Sequence, residues 1–99
     1  MNKLKENRAI LRRDEKRDEF NVYVYELTSR RGVNTFDFRL PLYSVQVLMT
    51  DAYGNTSSSC ADDAFADEER ALKFYEMAVK NLITPIDLLY VLEDERSAD

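Results

Sequence analysis

The apolar residues of this chain change their spacing once, close to Asp67. Before that point they recur at every second position, in short runs separated by turn residues. After it they recur every three to four. The first pattern is that of half-buried strands and the second that of amphipathic helices. Strands first and helices last point to an α+β fold, with helices laid on an antiparallel sheet. At 99 residues the chain has room for one such domain.

The first run, FNVYVYELT, places Phe20, Val22 and Val24 on one face and Tyr23, Tyr25 and Leu27 on the other. Apolar residues on both faces predict a central strand, or one whose second face is covered. SRRG reads as a turn, with Gly32 suited to positive φ. VNTFDFRL then alternates, sending Phe36, Phe38 and Leu40 inward. Pro41 has no amide proton and so ends this strand or lies at its edge. YSVQVLMT resumes the alternation with Tyr43, Val45, Val47 and Met49 on one face. DAYGNTSSS is a turn centred on Gly54 and Asn55, and SSSCADDAF is polar enough for a short fourth strand at an edge. The expected sheet is an antiparallel β-meander of three to four strands.

Two helices follow. Asp67 can cap the first, Glu68 and Glu69 favour its positive end and Lys80 its negative end. Ala71, Phe74, Tyr75, Ala78, Val79 and Leu82 form one broad apolar face. Thr84, Pro85 and Asp87 make an N-cap, a proline at the first helical position and a capping-box carboxylate. Ile83 and Leu88 form the accompanying hydrophobic staple. The proline therefore starts a second helix, PIDLLYVLEDE, after a sharp break near residues 81–83. Both helices are expected on one face of the sheet.

Charge is unevenly spread within a net balance of −5. Residues 1–19 hold seven Lys/Arg and five Asp/Glu, whereas residues 62–99 hold four and eleven. The first segment has few apolar residues, so it reads as a mobile arm or a charged helix docking elsewhere. The domain organisation expected is an arm or helix over 1–19, one α+β domain over 20–95 and a tail over 96–99.

The stretches VYVYELTSRRGV, DAFADEERALKFYEMAVKNLITP and PIDLLYVLED, in this order, resemble a family of small uncharacterised proteins from clostridia and related bacteria. The likeness runs over residues 20–95. It implies a short antiparallel meander, a helix, a Ser/Thr-Pro break and a terminal helix ending in a run such as Val91, Leu92, Glu93 and Asp94. The arm is longer than that pattern requires, and Arg31 stands where an aromatic residue is more usual. The resemblance implies a bacterial protein and supplies no activity.

Several chemistries are excluded by residue type. The chain contains no histidine, so Ser-His-Asp triads, His-ligated metals and HExxH sites cannot be written. With two glycines neither a phosphate-binding loop nor a dinucleotide fingerprint can be written either. No catalytic residue, cofactor or metal is therefore expected, and the chain reads as a non-enzyme. Cys60 is flanked by Asp62 and Asp63, which disfavour a thiolate. Asp51, Asn55, Asp62 and Asp63 lack the spacing of a calcium loop. A lone cysteine excludes an internal disulfide and suits a reducing cytoplasm, and no apolar run is long enough to span a membrane.

What remains is an interaction or regulatory module, self-associating as a homodimer or binding another protein. Its expected surface is Tyr23, Tyr25 and Leu27, exposed if the helices cover the opposite face, unless the arm or the last helix covers it within the chain. Glu93, Asp94 and Glu95 form an acidic rim at a helix end where the dipole disfavours them. The arm of one copy reaching the acidic end of another is a further possibility. The alternative is a nucleic-acid-associated regulator using the arm with Arg12, Arg13, Arg17, Arg30 and Arg31. Interrupting carboxylates and the acidic second half argue against that partner.

Overall fold

The structure, a computed structural model, describes residues 7–31 and 41–97. Strands β1 (Asn7–Arg17), β2 (Val22–Arg31), β3 (Leu42–Thr50) and β4 (Thr56–Phe65) form one antiparallel meander in sequence order. Helices α1 (Glu68–Lys80) and α2 (Pro85–Ser97) follow and pack on it, α1 across β2, β3 and β4 and α2 mainly on β4. The α+β class, the meander and the two terminal helices agree with the hydrophobic spacing. The segment VNTFDFRL, expected as a strand, lies with Gly32 outside the described residues.

β3 alternates as its sequence predicts, with Tyr43, Val45 and Val47 buried and Gln46 and Leu48 exposed. Asp51 closes the turn into β4, its carboxylate accepting the amides of Tyr53 and Asn55 at 2.9 Å each. Gly54 there has φ 88°, where a side chain would be strained. β4 is the edge strand that its serines and threonine suggest.

The first segment differs from expectation. Residues 7–17 are neither a mobile arm nor a helix; they form the other edge strand, paired along β2 from Asn7↔Arg31 to Arg17↔Val22. The sheet domain therefore begins at β1. An edge strand draws its stability from the backbone ladder and needs no apolar face, and charges on it discourage further pairing. Asp18 makes the β1–β2 turn: one carboxylate oxygen accepts the amides of Phe20 (2.9 Å) and Asn21 (2.8 Å), and the other accepts the Tyr23 hydroxyl (2.7 Å). Those bonds, Tyr23's first, hold the Asp18 carboxyl below its ordinary pKa.

The facing of β2 also differs. Tyr23, Tyr25 and Leu27 are 4%, 0% and 1% exposed and form the centre of the core, while Phe20 is exposed and Val22 and Val24 are half-buried. The helices thus cover the tyrosine face. The reason lies in the hydroxyls, each of which reaches a partner at the rim. Tyr25 donates to the Ile83 carbonyl (2.9 Å), Tyr43 to Glu68 (3.4 Å) and Tyr23 to Asp18. Four large side chains, Tyr23, Tyr25, Tyr43 and Tyr75, are buried this way without orphaning a polar atom.

Asp67 caps α1, accepting the Glu69 amide at 3.3 Å. The inward stripe is Ala71, Phe74, Tyr75 and Ala78, with Phe74 against Phe65 of β4 at a ring separation of 5.3 Å. The helix ends in a Schellman motif: the Ile83 amide donates to the Ala78 carbonyl (3.0 Å) and Leu82's to Val79 (3.2 Å). The left-handed position usually given to glycine is Leu82, φ 50°. Thr84 then starts α2, its hydroxyl accepting the Asp87 amide (3.3 Å) and meeting the Asp87 carboxylate (3.2 Å). The Tyr25 bond to Ile83 ties this break to the middle of the sheet.

Candidate interaction surface

Helix α2 is apolar around most of its circumference. Pro85, Leu88 and Leu92 are buried, and Val91 is half-buried against the core. On the other side Ile86, Leu89 and Tyr90 are 77%, 51% and 67% exposed. These three lie at i, i+3 and i+4, so they form one stripe along the helix, continued by Glu93 at i+7. A helix apolar on both sides is ordinarily buried on both.

The acidic rim expected from the sequence is exposed, and the fold joins it to this stripe: Glu93, Asp94 and Glu95 form the next turn of the same helix. It does not join the rim to Tyr23, Tyr25 and Leu27, which lie in the interior. That assignment is corrected by their burial. A helical wheel of PIDLLYVL sets Ile86, Leu89 and Tyr90 apart from Leu88 and Leu92, but both groups are apolar, and the packing of α2 on the sheet decides which is buried.

The arginines are spread over both faces of the sheet. Arg12 pairs across from Leu27 on the helix side, with its guanidinium 5.5 Å from the Tyr75 ring centre and 3.5 Å from Glu76. Arg13 lies on the opposite face, 3.3 Å from Glu26, and Arg17 meets Glu15 at 3.5 Å. Arg30 forms a two-pronged pair with Asp63, Nε to Oδ1 at 3.0 Å and Nη2 to Oδ2. Arg31 ends β2, and its side chain is outside the described residues. Each of these four guanidiniums has a carboxylate beside it, and they do not share one surface.

The remaining candidates are structural in their geometry. Asp51 and Asn55 stitch the β3–β4 turn. Asp62 and Asp63 lie near the other end of β4, where the Asp63 amide donates to Ser44 Oγ (2.8 Å) and Ser44 to Asp62 (3.2 Å). The oxygen ligands considered from sequence are thus not gathered, and among the described residues no group of three His, Cys, Asp or Glu could hold a metal. Cys60 is exposed on β4, yet partial desolvation, reinforced by Asp62 and Asp63 against Arg8, pushes its thiol pKa up. An open depression of about 460 Å³ lies between Arg8 and Leu11 of β1, Pro41, Tyr43 and Glu68. The Glu68 carboxylate there already meets the Tyr43 hydroxyl.

Tyr75 anchors β1 to the core. Its hydroxyl donates to Asp14 (2.7 Å) and lies 3.1 Å from the Tyr25 carbonyl. Burial first, then the Asp14 bond, raises its pKa; burial also raises that of Tyr25.

No protein-family model matches the chain, and neither does any curated protein or solved structure. Among the described residues no helix is long and apolar enough to cross a membrane.

Proposed function

We propose that this chain is a non-enzymatic interaction module whose working surface is the outer stripe of α2, with Glu93, Asp94 and Glu95 as its acidic rim. The observation that carries the reading is the exposure of Ile86, Leu89 and Tyr90 together on one helix face. Contiguous apolar surface with a polar border is characteristic of protein contacts, and tyrosine is favoured there. The acidic rim favours a partner that brings positive charge or a helix N-terminus beside its own apolar centre. A bacterial cytoplasm is the proposed setting, supported by the clostridial resemblance and the single cysteine.

The test compares the intact chain with Leu89→Glu and Tyr90→Ala as baits in cell extract. Both side chains are exposed, so circular dichroism should be unchanged. Proteins enriched by the intact chain should be lost with Leu89→Glu and reduced with Tyr90→Ala, and an identical captured set from all three chains overturns the reading.

The excess of cations on β1, five against two carboxylates, supports nucleic acid as a second reading. It predicts binding to duplex DNA or RNA that falls steeply with salt. No binding at low salt removes it.

A further inference from the structure

The two edges of the sheet are built differently. β1 carries seven charged residues in eleven and a register shift between Ile10 and Arg12. Charges and bulges are the devices that keep an edge from pairing with another chain. The first six residues of β4, TSSSCA, carry no charge and no proline, and from Thr56 to Ala61 they pair with β3 without a register shift. Among the described residues that half of β4 presents a regular, neutral edge, while Asp62, Asp63 and a register shift occupy the other half. Helix α2 lies over the same strand and displays the apolar stripe described above.

We propose that two copies of this chain join through β4 into one continuous eight-stranded antiparallel sheet, with their α2 helices packed side by side across the seam. This rests on reading the α2 stripe as an interface and names its partner as a second copy.

Geometry supports the pairing. Antiparallel association of two identical strands requires a two-fold axis normal to the sheet. That axis keeps the helical layers of both copies on the same side and makes the two α2 helices antiparallel. α2 lies mainly on β4 and reaches β3, so the seam makes the two helices neighbours in one layer. With strands about 4.8 Å apart, helix axes half a strand spacing inside each edge would stand about 10 Å from each other. Packed helices stand about 8–10 Å apart. One operation thus satisfies the open strand edge and the exposed stripe together.

Glu93, Asp94 and Glu95 stand at the negative end of their own helix dipole. In an antiparallel pair each acidic end lies beside the partner's α2 N-terminus, where the dipole favours negative charge and Asp87 of the first turn, bonded to Thr84, opposes it. Three exposed side chains and a five-to-six-residue strand edge from each copy bury roughly 1,000 Å² in total, at the lower limit for a specific interface. The expected association is therefore weak and reversible.

Sedimentation velocity of the full chain from about 1 to 500 μM tests this, with three variants. Successive strand amides alternate between β3 and the open edge, so one of Ser57→Pro and Ser58→Pro removes only an outward N–H and keeps the fold. Circular dichroism identifies which. The expected result is a wild-type dimer at high concentration, with association weakened tenfold or more both by Leu89→Glu and by the fold-retaining proline variant. A monomer throughout overturns the proposal, as does a dimer indifferent to the proline. If Leu89→Glu still abolishes capture of another protein in either case, the reading of α2 as an interface survives. If Leu89→Glu changes neither association nor capture, both fall.

Discussion

The residue that turns the chain from α1 into α2 gives the sharpest stability prediction. Leu82 has φ 50° and occupies the left-handed position of the Schellman motif, its amide bonded to the Val79 carbonyl at 3.2 Å. Holding a residue with a Cβ in that region costs about 1–2 kcal/mol, a cost glycine escapes. Leu82→Ala and Leu82→Gly delete the same half-buried side chain beyond Cβ, so both lose that contact with the core. They differ in the backbone: alanine keeps the left-handed cost and glycine removes it. Glycine at position 82 should therefore be more stable than alanine by about 1 kcal/mol, the reverse of the order inside a helix, where alanine leads by about as much. For a domain of this size 1 kcal/mol corresponds to about 4–8 °C in Tm. Urea and thermal unfolding followed by circular dichroism measure the difference. Equal stabilities, or alanine ahead, would refute a left-handed link at this position.

Further outcomes follow from the tyrosine anchors and the second cap. In a double-mutant cycle, Tyr75→Phe and Asp14→Asn should couple by about 1–2 kcal/mol; a charge-assisted bond is worth somewhat more, but Asp14 is partly exposed. Additive effects contradict the bond. Thr84→Ala should cost about 1 kcal/mol through the lost cap of α2, and a neutral result denies that cap. Tyr25 and Tyr75 have pKa values above the ordinary tyrosine value, so the stability they contribute is fully present below about pH 10 and is lost as pH rises beyond it. Alkaline titration at 295 nm should show their ionisation only as helical ellipticity disappears. Complete ionisation of all six tyrosines with the fold intact would contradict their burial.

Much of the architecture is legible locally. The alternation of Tyr43, Val45, Val47 and Met49, the Asp51 turn, the stripe of α1 and the Thr84–Pro85 start of α2 all follow from spacing and capping chemistry. β1 is not legible in this way, because its alternation contains almost no apolar residue and its stability comes from backbone pairing with β2. The facing of β2 is likewise hidden. Both of its faces are apolar, and the choice falls to hydroxyl partners distant in sequence, such as the Ile83 carbonyl 58 residues from Tyr25. Leu82 gives no warning of its positive φ, since glycine, the usual marker, is missing. The candidate surface was half legible: Glu93, Asp94 and Glu95 stand out as a charged run. Ile86, Leu89 and Tyr90 are told from the core residues of the same helix only when the buried side of α2 is known.

The tyrosine side of β2 is the core, and the outer stripe of α2 is an open apolar surface. Tyrosine nitration in dilute solution, located by mass spectrometry, tests it in one measurement. Tyr53 and Tyr90 should be modified readily, while Tyr23, Tyr25, Tyr43 and Tyr75 are protected. Rapid nitration of Tyr25, or protection of Tyr90 in a chain shown to be monomeric, would contradict the account.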